Sequence, residues 1–259
     1  MSADDLDEQV IQPLDLPERP LTARNLADWR ECPQKFLLSY FVSRAESRRF
    51  IGGPAALHQA LREALVECYR LGGPDRLPLD QLLAGFEAAW DGSLCADSLE
   101  EEQLHGRGVE MLESYHAKHQ RDQPEMMQAD LRMEVELGGH TLVAVADVIL
   151  READGGINAL RWLSTRRPPS AEEMMVSLSW GLLFIATQHK FADQDVSVTM
   201  YSLRRDSGHR VRFEEDEAAR IERRATRIAD RIRVATEFPT VTGKHCRWCR
   251  SRGRCPALR

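Results

Sequence analysis

Cys246-Arg-Trp-Cys249-Arg-Ser-Arg-Gly-Arg-Cys255, near the end of a chain of 259 residues, sets three thiols in a C-x2-C-x5-C array. A C-x2-C pair can offer two sulfurs to one metal centre from a tight turn. A third cysteine five residues on, across Gly253, lets the backbone wrap the same centre. A fourth thiol stands far upstream in Glu31-Cys32-Pro33, inside the amphipathic segment Trp29–Phe36, where a Cys-Pro step has little reason to exist as plain core. Four thiolates are the usual ligand set of a 4Fe–4S cluster and also of structural zinc. Cys32, Cys246, Cys249 and Cys255 therefore form the expected metal set. Cys32 favours the iron–sulfur cluster, while zinc, with His245 in place of Cys32, stays open as the alternative. Cys68 and Cys95 lie on helical apolar patterns and read as small buried hydrophobes.

Composition is compatible with this framework. The chain is 42% hydrophobic and 29% charged, with six cysteines and a net charge of -6. No apolar run reaches the length of a membrane span, and the acidic start Met-Ser-Ala-Asp-Asp-Leu-Asp-Glu lacks the basic and apolar regions of a secretory signal. A cytoplasmic protein without a membrane partner is the expectation, and in a reducing compartment clustered thiols bind metal more often than they pair as disulfides. Bulk charge gives no reason to expect a polyanion ligand. Charge distribution does, because arginines crowd the chain from Arg204 onward, as in proteins that touch nucleic acid. A solvated arginine-rich helix accounts for the same charges.

Outward from the cysteines, residues 1–20 read as a flexible acidic arm. Residues 21–130 read as a helical region carrying the first cluster cysteine, 131–236 as an α/β core with a long helix, and 237–259 as the cysteine tail. Thr22 is a plausible N-cap for a helix with Leu26, Trp29 and Cys32 on one face, continued past Pro33 by Phe36, Leu37, Tyr40 and Phe41. Further helical patterns run from Ala55 to Leu71, through Leu82–Trp90 and through Leu104–Tyr115. Strands are expected at Leu131–Leu137, Thr141–Leu150 and Ile157–Leu163, separated by Gly138-Gly139 and Asp154-Gly155-Gly156 turns. One helix from Ala171 to His189, strands at Val196–Leu203 and Val211–Phe213, and a helix over Glu214–Thr236 follow. That order gives an α+β fold with one mixed sheet flanked by helices.

With these residues in hand, the chain resembles the PD-(D/E)XK nuclease superfamily, in the RecB-like branch with an iron–sulfur staple that includes AddAB-type nuclease domains and CRISPR-adaptation exonucleases. Cys32-Pro33-Gln34-Lys35-Phe36 matches the branch's opening Cys-Pro-x-x-Phe step. Gly53-Pro-Ala-Ala-Leu-His58 matches its glycine-led helix with a motif histidine, and Ala146-Asp147 its metal-binding aspartate after a small residue. Glu134 or Glu136 would serve as the acidic residue of the preceding strand. The resemblance covers about Leu21 to Pro256. It implies a restriction-endonuclease-like core with a C-terminal 4Fe–4S staple, and a site built on Asp147, Glu134 and His58. It also implies DNA as ligand, a helicase or nuclease partner, and Mg2+ or Mn2+ wherever the site is active.

The chain departs from that pattern at the core motif. The third strand of the family carries an acidic residue, any residue, then lysine; here Trp162-Leu163-Ser164 stands there. The next helix offers a glutamine and a tyrosine one turn apart; here Val176 and Trp180 fall there. Phosphodiester cleavage of this kind needs carboxylates from adjacent strands to hold divalent ions, and a cation beside the scissile phosphate. With Asp147 short of its partner, the expectation is a catalytically impaired protein that binds DNA or scaffolds a complex. The alternative is an active nuclease with a relocated site, using Glu172 or Glu173 with Arg166 or Arg167. Arg166, Arg167, Arg247 and Arg250 are the candidate phosphate contacts. His58, without the resemblance, is an ordinary core histidine.

Overall fold

The computed structural model describes residues 20–40, 52–121 and 124–258. Nearly all of the acidic arm and Phe41 lie outside these residues. Thr22 ends a two-residue strand, β1 (Leu21–Thr22), and caps α1 (Ala23–Glu31). Its hydroxyl accepts from the Asn25 N–H at 3.2 Å while the Asn25 side chain takes the Thr22 N–H at 2.8 Å, a reciprocal cap that satisfies donors the first helical turn leaves free. Cys32 is extended and breaks the helix before Pro33, where α2 (Pro33–Tyr40) begins, because proline disfavours helical geometry in the residue before it.

Three long helices follow: α3 (Gly53–Arg70), α4 (Leu79–Ala89) and α5 (Ser98–Lys118). Strands β2 (Glu125–Leu137) and β3 (His140–Arg151) then form a hairpin closed by Gly138 and Gly139 at φ 58° and 79°, the left-handed pair that a tight two-residue turn requires. After them come β4 (Ile157–Leu163), α6 (Ala171–Met175), α7 (Leu178–Lys190), β5 (Val196–Ser202), β6 (Ser207–Val211) and α8 (Glu215–Arg233).

These strands make one mixed sheet. Its order is β1-β3-β4-β5-β6, with β2 also on β3. The β1–β3 and β4–β5 pairs are parallel and the others antiparallel. One face packs against α1, α2, α7 and α8 through Leu26, Phe36, Ala146, Leu182 and Ile232. The other packs against α3, α4 and α5 through Leu61, Phe86, Leu112, Leu160 and Trp162. Apolar side chains on both faces explain why β3 and β4 read as nearly continuous hydrophobic runs. The α+β plan with a mixed sheet between helical layers is as expected from sequence.

Four local expectations change, the first being the short strand expected at Val211–Phe213, which runs from Ser207 to Val211. The strand expected from Leu131 begins at Glu125, because the back half of β3 supplies a pairing edge that the weakly patterned residues 125–130 could not announce. The single helix expected over Ala171–His189 is two, since Ser177 is extended and caps α7 through its hydroxyl, which accepts from Ser179 N–H at 3.2 Å. Cys68 is fully buried as expected, but Cys95 sits half-exposed after a 3-10 turn. Among the described residues no helix is long and apolar enough to cross a membrane.

Candidate functional site

Asp147 lies where β3 and β4 part. The β3–β4 ladder ends at the pair Val148 and Leu160. Two residues on, the Trp162 N–H turns to a side chain instead of a carbonyl, donating to Asp147 Oδ2 at 2.8 Å. The facing of β3 changes at the same place: Ala144 and Ala146 point into one core, Val148 and Leu150 into the other. Asp147 is thereby carried into the interior, 4% exposed.

Its other oxygen is also taken. Arg62, from the middle of α3, donates through Nε to Asp147 Oδ1 at 2.5 Å and through Nη2 to Asp130. The β2–β3 register sets Asp130 opposite Asp147, between the pairs Ala129 with Val148 and Leu131 with Ala146. Asp130 has φ 53°, a left-handed conformation that aspartate tolerates better than most residues. One guanidinium thus bridges two carboxylates that would otherwise repel. Burial works against charge on Arg62, yet Asp147 and Asp130 outweigh it and raise its pKa above the ordinary guanidinium value. Arg161, half-buried beside this group, donates to Ser179 Oγ at 3.1 Å and lies 5.4 Å from the Trp180 ring centroid.

Among the residues expected from sequence, His58 joins this neighbourhood. Burial holds its imidazole below the usual value; Asp147 opposes the shift, and Arg161 and Arg62 add to it. Its Nδ1 is buried with no hydrogen-bond partner among the described residues. Glu134 and Glu136 do not join. Glu134 pairs in register with Val143 and binds Arg132 at 3.0 Å, and Glu136 accepts from Thr141. Val143 is four residues from Asp147, about 13 Å of strand, so the carboxylate across from Asp147 is Asp130. Sequence reasoning missed Asp130 and Arg62, since nothing local in either stretch points to the other.

Trp162, which the sequence resemblance sets where the family has its second carboxylate, is 1% exposed. Its ring packs with Tyr69 and Tyr115 at centroid distances of 5.6 and 6.2 Å. Burial, first of all, pushes the Tyr69 hydroxyl up to about 12. An aromatic, apolar wall therefore lines one side of Asp147, and Arg62 fills the space against its carboxylate. The residues present do not fit a divalent ion in this arrangement.

Beyond the end of β4 a cavity of about 630 Å³ opens, lined by His58, Ser164, Arg107, Arg166 and Arg204 together with Leu57 and Leu104. Glu172 and Glu173 are not on its wall: they begin α6, where Glu173 caps Ser170 and approaches Arg167 at 3.7 Å. Arg247 and Arg250 lie elsewhere, in the cysteine tail. Arg247 lies 5.7 Å from the Trp248 ring centroid, and burial, then Arg24, lowers the Arg250 pKa while Asp28 opposes.

Cys32, Cys246, Cys249 and Cys255 line a single small cavity between α2 and the tail. Arg254 donates to Leu38 O at 3.3 Å, Gln34 N–H to Pro239 O at 3.3 Å, and Phe238 packs edge-on to Trp29 at 5.7 Å. Two backbone donors point at sulfur: Val241 N–H to Cys32 Sγ and Gly243 N–H to Cys246 Sγ, both at 3.4 Å. Among the described residues no group of three or more His, Cys, Asp or Glu is arranged around a single metal ion.

A sequence profile of the PD-(D/E)XK nuclease superfamily matches residues 20–256. The chain belongs to that superfamily. Two solved structures are similar to this PD-(D/E)XK chain. One is a protein named SSO0001, 16% identical over 93% of this chain and 88% of that one, with a TM-score of 0.40. The other is a chain from Eubacterium rectale assigned as an exonuclease, 13% identical over 74% of this chain and 90% of that one, with a TM-score of 0.37. No curated protein sequence matches the chain.

Proposed function

We propose that this PD-(D/E)XK chain is a RecB-like, iron–sulfur-stapled protein that holds DNA without cutting it, beside a helicase or another nuclease subunit. The observation that carries the reading is Asp147, whose two oxygens are bound by Arg62 and by the Trp162 N–H. Mg2+ keeps most of its waters and binds weakly to one or two carboxylates unless the cage is complete. Here it would have to displace a guanidinium that the fold holds against Asp147 at high effective concentration. Trp162 adds no ligand, and Ser164 supplies no cation where the family has lysine. Packing survives such losses because it depends on other residues.

The 4Fe–4S assignment rests on four thiols around one cavity and on N–H donors aimed at two of the sulfurs, since such hydrogen bonds stabilise thiolate ligands. When bound, the cluster supplies a cross-link between the tail and the α1–α2 corner. DNA contact is assigned to the arginines.

A second reading has its own support. Asp130 opposite Asp147 is a carboxylate pair on adjacent strands, and with Arg62 swung away the pair could take Mn2+ or Mg2+ in an active nuclease. The deciding experiment is a cleavage assay on anaerobically purified protein with each ion, on labelled single- and double-stranded DNA, with Asp147→Ala alongside. The proposal expects no cutting and DNA binding that weakens steeply with salt in both proteins. Cutting that vanishes in Asp147→Ala would overturn it in favour of the second reading.

A further inference from the structure

The cavity beyond β4 gathers three arginines from three distant parts of the chain. Arg107 comes from α5, Arg166 from the segment after β4, and Arg204 from the turn between β5 and β6. Among the described residues none of the three makes an ion pair with a carboxylate. Glu100, the one carboxylate among the described residues of the wall, has an oxygen already taken by the Ala96 N–H at 2.7 Å. Burial first, then the charges of Arg107 and Arg166, lower the Arg204 pKa. Three guanidiniums and one carboxylate on the described wall leave an excess of positive charge facing one space, and an anion entering that space would offset it.

The rest of the wall narrows the anion. Ser164 and Thr165 offer hydroxyls, and His58 Nδ1 is buried without a hydrogen-bond partner among the described residues. Leu57, Leu104 and Leu163 give an apolar side. A volume of about 630 Å³ lies within the range of small-ligand sites, roughly 300–1,000 Å³. A phosphodiester inside a strand carries one negative charge, whereas a phosphomonoester carries about two at neutral pH. Three guanidiniums match the second better, with their planar forks suited to phosphate oxygens.

We propose that the cavity is a binding site for a nucleoside phosphomonoester, its phosphate on Arg107, Arg166 and Arg204 and its apolar parts against Leu57 and Leu104. The monoester is carried on a DNA end or on a free nucleotide. Only the DNA-end form rests on the DNA-holding reading above.

The test uses the full-length protein and fluorescence anisotropy at fixed ionic strength. Labelled oligonucleotides ending in phosphate or in hydroxyl are compared, with each deoxynucleoside monophosphate as competitor. The proposal expects the phosphorylated end to bind about tenfold tighter or more, the scale of a charge-assisted contact. Arg204→Ala and Arg107→Gln should each remove most of that preference, with melting temperatures confirming folded protein. Arg70→Gln, an equal charge change outside the cavity, should keep it. Monophosphate binding without any end preference would support the site with a free nucleotide as its source. Salt-sensitive DNA binding blind to terminal phosphate, with no monophosphate binding, would overturn this site and leave the DNA-holding reading standing. A phosphate preference unchanged in both arginine variants would overturn it as well.

Discussion

Arg62 Nε lies 2.5 Å from Asp147 Oδ1 across 85 residues of sequence, joining the middle of a helix to the point where two strands part. Asp147 is almost wholly buried and Arg62 about a quarter exposed, so the pair is shielded enough for its loss to matter. Removing one partner of a buried pair leaves an uncompensated charge, at a cost of about 3–5 kcal/mol. Arg62→Met should lower the urea unfolding free energy by roughly that amount. Adding Asp147→Asn should restore part of it, because the amide can still accept from Trp162 N–H without needing a counter-ion. A double variant no more stable than Arg62→Met would remove the ion pair as the explanation.

Trp162 makes a second, independent prediction. It is among the largest fully buried side chains and packs with Tyr69 and Tyr115. Trp162→Ala should cost about 3–5 kcal/mol through lost contacts and the cavity left behind. The carboxylate in Trp162→Glu would enter that aromatic wall unpaired, so this variant should unfold more readily still and should not gain cleavage while Arg62 holds Asp147. Cleavage by folded Trp162→Glu protein would show that Arg62 is no barrier to the ion.

Much of this was legible in sequence, and what was not has a physical reason. The Thr22 cap, the Cys32-Pro33 break and the Gly138-Gly139 turn are local events, set by neighbours in the chain. The convergence of Cys32 with the tail was legible because cysteine spacing carries chemistry. Arg62 stands one turn past His58 on α3, and nothing in its local sequence marks it for Asp147. Asp130 lay outside the strand as read, since its left-handed conformation interrupts the alternation that marks β structure. Ser177 was read through as helix because Met174, Leu178, Leu182 and Ile185 keep a helical period across it, and all four are indeed buried. Only tertiary pairing brings Arg62, Asp130 and Asp147 together, and only the middle of α5 and the ends of β4 and β5 bring Arg107, Arg166 and Arg204 to one cavity.

Two histidines predict an acid-side loss of stability. Burial is the first cause lowering both His58 and His119; Asp147 opposes it at His58 and Asp206 at His119, while Arg161, Arg62 and Lys118 add to it. Each binds fewer protons folded than unfolded, so its stabilising contribution is complete above the free imidazole value of about 6.5. That contribution is lost as pH falls from there through the lowered folded value. Urea midpoints should therefore drop between about pH 7.5 and about pH 5.5, and the drop should be smaller in His58→Asn with His119→Asn. An identical slope in that variant would assign the loss to other groups.

The cysteine cavity predicts a shared spectroscopic and structural signature. If all four thiolates hold one 4Fe–4S cluster, anaerobically purified protein should be brown, with broad visible absorbance and about four iron atoms per chain. Cys32→Ser and Cys249→Ser should each abolish the colour, although these residues stand at opposite ends of the chain. The tail has few apolar anchors besides Phe238 on Trp29 and Phe36, so loss of the cluster should free it. Limited proteolysis should then cut near Lys244–Arg254 in both variants and spare the α3–α8 core, because the sheet and its two helical layers do not depend on the tail. Colourless protein carrying zinc would assign the site to the other metal and still predict tail release. Tail release in Cys249→Ser but not in Cys32→Ser would break the link between the two ends, leaving the Val241 and Gly243 N–H donors facing thiols with no common centre.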